Sequence, residues 1–241
     1  MPDEKKRLNP TRWYVLPKWE QLPDELKSEA VRPYYEALSK HKAGLFFKRV
    51  FDVCAALDLI VLLGIPMLII AIMIKCDSKG PVFFRQERVT TYGAKFRIHK
   101  FRTMVNNADK IGSAVTVEND NRITKIGSKL RNHRLDEFPQ LFDVLAGTMS
   151  FVGTRPEVVK YVDKYTDEMN ATLLLPAGIT SLASIEYKDE AELLENAENA
   201  DEVYINDVLP AKMEINLKSV KEFGFFKDIC VLFKTIAAVF S

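Results

Sequence analysis

The sequence lacks the residue patterns of a disulfide-stapled, zinc-bound or P-loop fold. Its three cysteines, Cys54, Cys76 and Cys230, are odd in number and have no metal-ligand spacing. Two of them flank an apolar run, so a reducing, cytosolic setting without disulfides or zinc is expected. No glycine-rich phosphate loop occurs, which argues against a kinase-type site, and the absence of an Asp-x-Asp motif weakens a Leloir-type glycosyltransferase. Neither sign of charge is in excess: 34 Lys and Arg stand against 33 Asp and Glu, a net +1. No internal repeat or low-complexity tract is present. Residues 1–44 are polar without an apolar h-region, so no signal peptide is expected.

What is present suffices for one sizeable core and a small appendage, with 47% hydrophobic and 28% charged residues in 241. The near-zero net charge hides a segregation. Between Pro81 and Leu135 twelve basic residues face four acids, a block that should attract anions. Residues 186–202 carry eight acids and one base, Lys188, and read as a solvated helix.

Residues 59–74, LIVLLGIPMLIIAIMI, are uncharged and interrupted by Gly64 and Pro66. As a straight helix they cover roughly 24 Å at about 1.5 Å per residue, short of a hydrocarbon core about 30 Å thick. Upstream, Asp58, Asp52, Arg49 and Lys48 are expected at headgroup level, since charge at mid-bilayer is costly. Pro66 removes a backbone donor and disfavours helical geometry at Ile65, which favours a bend. Both flanks are basic, with Lys40, Lys42, Lys48 and Arg49 before the run and Lys75, Lys79, Arg85 and Arg88 after it. Neither flank therefore looks translocated, and a re-entrant helix is preferred to a full span or a buried core helix.

Local patterns place the remaining elements. The first 44 residues, with five prolines and the aromatics Trp13, Tyr14, Trp19, Tyr34 and Tyr35, predict an irregular arm with one or two short helices. PVFFRQERV and AKFRIHKFRTM, separated by TTYG, predict a hairpin. NNADKIG could form a helical turn, and Ile123, Ile126 and Leu130 fall at helical spacing. Phe138, Leu141, Phe142 and Leu145 predict a helix from about Asp136 to Leu145, with Pro139 in its first turn and Gly147 as its stop. Helices are also expected at 155–170, 188–199, 201–220 and the C-terminus, the last either in the core or in the membrane interface.

The chemistry gathers around HRLDEFPQ. Asp136 and Glu137 can be read as ordinary first-turn acids that complement a helix dipole. Arg131 and Arg134 lie just upstream, however, and GTRPE, residues 153–157, looks like a second helix start. Helix starts beside arginines bind phosphate, and a carboxylate held there could coordinate a bridging metal or attack phosphorus itself.

Five stretches occur in a specific order: FFKRVFDVCAALDLIVLLGIPMLII, GPVFFRQERVTTYGAKFRIHKFRTM, NRITKIGSKLRNHRLDEFPQLFDVLAGTMSFVGTRPE, LPAGITSLA and KDICVLFKTI. Over about residues 45–240 the chain resembles the bacterial sugar transferases, the monotopic phosphoglycosyl transferases. The resemblance implies an α+β fold, predominantly helical with a small β-hairpin, a re-entrant membrane helix bent at Pro66 and interfacial amphipathic helices. Residues 1–44 would be a polar N-terminal arm, 45–78 the re-entrant helix and 79–241 a cytosolic catalytic domain.

It further implies transfer of a sugar phosphate from a nucleotide diphosphate sugar, of the UDP-sugar type, to polyprenyl (undecaprenyl) phosphate. In the family's pattern Asp136 is the nucleophile and Glu137 its partner, which helps bind Mg²⁺. Arg131 and Arg155 occupy phosphate-binding positions, and Lys100 and Arg102 are further phosphate ligands. His99 and His133 read as incidental. The expected place is the cytoplasmic face of the bacterial inner membrane, in contact with membrane lipid and without nucleic acid; a homodimer is left open. Thr148, Thr154 and Ser181 depart from the usual Asp, Pro and Gly, and IEYKDE replaces an Arg-containing stretch, where Lys188 could take over a phosphate contact. These departures bear on the nucleotide-sugar contacts more than on the dyad. The reading of a different class is a non-catalytic membrane scaffold whose basic block binds anionic headgroups.

Overall fold

A computed structural model describes residues 14–108, 120–188 and 199–240. Trp13, most of the NNADKIG turn and nearly all of the helix expected at 188–199 lie outside these residues.

Two 3-10 turns, Trp19–Gln21 and Asp24–Leu26, lead into α1 (Arg32–Ser39). This arm is built into the body of the protein. Tyr14, Leu16, Leu22, Leu26, Val31 and Leu38 share one core with Leu45, Leu174, Val220 and Phe223. Its aromatics brace it and tie it down: Trp19 packs edge-on against Tyr35 at 5.1 Å, and the Tyr34 hydroxyl donates to Glu168 of the body at 2.6 Å.

The second helix, α2 (Lys42–Asp77), is 36 residues long and continues through Pro66. It is long and apolar enough to cross a membrane. Its middle is bare: Val61, Leu62, Ile65, Leu68, Ile69 and Ile72 are all exposed. Both ends instead dock on the same globular body. At the N-terminal end Lys48 Nζ donates to the Val152 carbonyl (2.8 Å), and Arg49 donates to the carbonyls of Val144 (2.7 Å) and Leu145 (2.9 Å). Asp52 accepts from the Phe151 amide at 3.2 Å and lies 2.9 Å from the Tyr14 hydroxyl. These three charges are buried, so the expectation that they sit among headgroups is corrected. They are retained in the interior because each finds hydrogen-bond partners there. At the other end Met67, Ile70 and Ile74 pack against Phe101 and Leu130.

The expected hairpin is present as β1 (Phe83–Val89) and β2 (Lys95–Phe101), antiparallel with Phe84 opposite Lys100 and Arg85 opposite His99. Tyr92 and Gly93 turn it in left-handed backbone geometry. Next come α3 (Lys125–Asn132), capped by Thr124 Oγ1 on the Gly127 amide, and α4 (Gln140–Ala146), which stops at Gly147 with φ 87°. That φ is where glycine carries least strain.

After α4 the pattern reading missed a second sheet. β3 (Met149–Val152) pairs in parallel with β4 (Ala177–Thr180). The strands approach so closely that a Cβ on Gly178 would lie 2.2 Å from the Gly153 nitrogen. The helix expected at 155–170 shrinks to α5 (Val159–Val162) followed by a 3-10 stretch, Met169–Leu174. Residues 154–158 are extended because their carbonyls are already engaged: Thr154 by the Gly178 amide, Pro156 by Arg88 and Glu157 by the Val89 amide. α6 (Leu182–Glu186) was not anticipated.

The helix expected at 201–220 exists as α7 (Ala200–Val203), a π turn at Tyr204–Val208 and α8 (Leu209–Lys221). Pro210 cannot donate to the carbonyl four residues back, and the wider turn lies just before it. The C-terminal α9 (Phe225–Phe240) leaves Phe226, Phe233 and Ile236 exposed.

Candidate functional site

Asp136 and Glu137 lie in a 3-10 turn, Leu135–Glu137, rather than in the first turn of α4. Pro139 is the reason. Without an N–H it cannot carry the i to i−4 ladder back to Leu135, so the α-helix begins at Gln140. The turn is entered through Arg134 in left-handed geometry, φ 56°. A non-glycine residue there costs about 1–3 kcal/mol, and such strain gathers at sites where side chains must be aimed.

The turn lies at one wall of a cleft of about 550 Å³. Lys100 enters from β2, Arg131 from the end of α3 and Arg155 from the extended segment after β3. Glu137 is buried, and its Oε1 accepts from Lys100 Nζ at 2.9 Å and from Arg155 Nη2 at 2.6 Å. Among the described residues no side chain donates a hydrogen bond to Asp136. Arg131, half-buried, stands close enough to Asp136 for each to shift the other's titration.

Electrostatics separates the two carboxyls. Burial pushes Glu137 up, but the adjacent Arg155 and Lys100 outweigh it and hold the group well below the usual glutamate range. Burial moves Asp136 the other way, above the usual aspartate range; Glu137 adds to that rise, while Lys100 and Arg131 oppose it. Arg155 is raised by Glu137, and Lys100 is lowered by burial with Glu137 opposing. One carboxylate is thus a fixed counter-ion, and the other carries a charge the site stabilises less well. Paired carboxyls driven apart in this way adopt different roles.

Of the sequence-derived candidates, Lys100, Arg131, Asp136, Glu137 and Arg155 line one cleft. Arg102 also reaches its wall, but its guanidinium is committed elsewhere. It donates to the carbonyls of Lys79 (2.9 Å), Ser78 (2.7 Å) and Ile74 (3.3 Å) and so caps the C-terminus of α2. Arg102→Met should therefore lower thermal stability by about 2 kcal/mol while changing the KM for a donor substrate less than twofold; a thermal melt paired with steady-state kinetics checks this.

His99 bonds Asp143, His133 is exposed just past the end of α3, and Lys188 is exposed and absent from the cleft walls. Sequence reasoning read Arg88 only as a flanking base and not as a site residue, yet it lines the cleft and bonds the Pro156 carbonyl at 3.1 Å. Its even spacing from Phe84 and Gln86, on the hairpin face that carries Lys100, was the available signal.

A divalent metal was expected here. Among the described residues no set of three or more His, Cys, Asp or Glu could hold an ion on its own. Two adjacent carboxylates do fit Mg²⁺, which is commonly held by one or two carboxylates with substrate phosphates completing its shell.

A family model described as bacterial sugar transferase matches residues 43–241. The chain is 35% identical over 197 residues to a UDP-N-acetylgalactosamine-undecaprenyl-phosphate N-acetylgalactosaminephosphotransferase of Aeromonas hydrophila, covering 80% of this chain and 44% of that protein. It is 32% identical to a UDP-glucose:undecaprenyl-phosphate glucose-1-phosphate transferase of Klebsiella pneumoniae, with 88% and 44% covered. It is also 32% identical to an uncharacterized sugar transferase, EpsL, of Bacillus subtilis, with 81% and 88% covered. The chain thus spans under half the length of the first two relatives and most of the third.

Proposed function

The chain belongs to the bacterial sugar transferases, and from that premise we propose that it transfers a sugar phosphate from a UDP-sugar to polyprenyl phosphate through a covalent aspartyl intermediate. The observation that carries this reading is the division within the dyad. Glu137 accepts from both Lys100 and Arg155 through one oxygen, whereas among the described residues no side chain donates a hydrogen bond to Asp136 in the same basic cleft.

A carboxylate oxygen of Asp136 attacks the β-phosphorus of the donor. The bond from that phosphorus to the bridging oxygen breaks, and nucleoside monophosphate leaves with the electron pair. An oxygen of the lipid phosphate then attacks the same phosphorus, displacing the Asp136 carboxylate unchanged. Arg131, Arg155 and Lys100 hold phosphate oxygens and offset the charge that gathers as two anions meet. Glu137 fixes Lys100 and Arg155 in position. Glu137, with Asp136 beside it, would hold Mg²⁺, which would supply further charge neutralisation at the phosphates.

The acceptor demands access to a membrane, and α2 provides it. Its exposed apolar middle enters the bilayer and, because both ends dock on one body, returns to the same, cytoplasmic side of the inner membrane. Helix α9 lies in the interface with Phe226, Phe233 and Ile236 toward the lipid. The test is incubation of detergent-solubilised protein with Mg²⁺, labelled UDP-sugars and polyprenyl phosphate. Release of UMP and appearance of label in the lipid fraction are expected. No UMP from any nucleotide sugar tried would return the protein to the scaffold reading.

A further inference from the structure

The cleft that holds the dyad extends along the hairpin to a second group of cations. Arg85 on β1 and Arg97 on β2 also line it, and both are exposed. Each guanidinium is bound to the other residue's backbone. Arg85 donates from Nε (3.2 Å) and Nη2 (2.8 Å) to the Arg97 carbonyl, and Arg97 Nη2 donates to the Arg85 carbonyl at 3.2 Å. Two guanidinium groups are thereby held as diagonal neighbours across the strands, with His99 opposite Arg85 and Glu87 opposite Arg97.

The nearest acids are already engaged. Glu87 pairs with Lys95 at 3.4 Å, and both oxygens of Asp143 accept from His99, one from its ring at 2.7 Å and one from its amide at 2.8 Å. Most N–H donors of the arginine pair are therefore uncommitted among the described residues, and paired guanidinium forks match phosphate oxygens.

A second observation says which phosphate. Phe83, two residues before Arg85 and thus roughly 7 Å away along the strand, is exposed and stacks on Phe101 at 5.6 Å. Phe101 in turn packs against Met67, Ile70 and Ile74 of α2. The arginine pair thus stands beside an aromatic step that leads down to the apolar helix. A soluble nucleotide sugar has no use for such a step, whereas an acceptor anchored in the bilayer must present its phosphate next to apolar surface.

Resting on the transferase reading above, we infer that Arg85 and Arg97 form the docking site for the phosphate of the lipid acceptor, with the exposed Phe83, backed by the buried Phe101, guiding its first isoprene unit.

The full-length chain is compared with the R85Q/R97Q and R85K/R97K variants in the same detergent. For R85Q/R97Q the KM for polyprenyl phosphate should rise about tenfold or more, with the KM for UDP-sugar and the rate of UMP release in a single turnover without lipid both unchanged. R85K/R97K keeps the charge but loses the fork, and should fall between. Sedimentation with phosphatidylglycerol vesicles and with pure phosphatidylcholine vesicles should be the same for all three proteins.

An unchanged acceptor KM, an equal rise in donor KM, or a parallel loss of phosphatidylglycerol binding would each overturn the assignment. The last of these would mark the pair as a general headgroup contact. Direct binding of a short-chain polyprenyl phosphate is measured alongside. Binding lost in R85Q/R97Q from a wild type that never releases UMP would keep this site and remove the transferase reading; turnover with no effect on acceptor binding would do the reverse.

Discussion

Replacing Asp136 with Asn is expected to abolish turnover, by at least about 10⁴-fold in kcat, in line with the loss of a covalent nucleophile in other enzymes. The substitution keeps the size and planarity of the side chain but removes the lone-pair charge that attacks phosphorus. The structure also makes it a clean test. Burial already favours the neutral form of this carboxyl, and no donor in the described structure depends on it. An amide should therefore fold at least as well as the acid. The wild type should form a covalent adduct when given labelled UDP-sugar without lipid, and the mass shift should map to Asp136. A labelled Asp136→Asn protein, or UMP release by it at near wild-type rate, would move the nucleophile elsewhere.

Glu137→Gln should also be severe, for a different reason. Its carboxylate is the common acceptor for Lys100 and Arg155, and truncating one partner of a buried charge cluster leaves the others without a counter-ion. The amide oxygen can still accept, but the negative charge that holds two cations together is gone. A kcat reduction of roughly 10²–10³-fold is expected, comparable to removal of a group that organises charge at a reacting centre. The Mg²⁺ concentration for half-maximal activity should rise with it. The adduct should still form on Asp136, only slowly, which separates a positioning role from a nucleophilic one. Activity within threefold of wild type would show that Lys100 and Arg155 do not need Glu137 to stay in place.

Much of this arrangement could be read from local pattern. The hairpin followed from two alternating segments around TTYG, the stop of α4 from Gly147, and the apolar helix from its composition. Of the five residues around the cleft, Asp136, Glu137 and Arg131 stood out as an acidic pair beside arginines and Arg155 as part of GTRPE, whereas Lys100 entered only through the family resemblance. The errors share a cause. The helix expected at 155–170 was displaced at its start by Gly178 and Arg88, 24 and 68 positions distant, which occupy the carbonyls of Thr154 and Pro156. The parallel pairing of β3 with β4 was invisible because each strand is only four residues long, too short for alternation to register. Arg102 looked the same as Lys100 in HKFRTM, and only the path of α2 separates a helix cap from a cleft lysine.

The sequence alone therefore determined the chemistry on offer: two adjacent carboxylates, a basic block and one long apolar stretch, all properties of residues near each other in the chain. Tertiary structure decided how that chemistry is divided. Glu137 became the bound counter-ion and Asp136 the carboxylate with no side-chain hydrogen-bond donor among the described residues because Lys100 and Arg155, 37 and 18 positions away, both reach Glu137 Oε1. The same holds for Lys48, Arg49 and Asp52, which local hydropathy places at a membrane surface and which the fold buries against β3 and α4. Charge and hydrophobicity are local quantities and can be read from a string of residues. Which charges neutralise one another depends on distances of a few ångströms between remote segments, and only packing sets those.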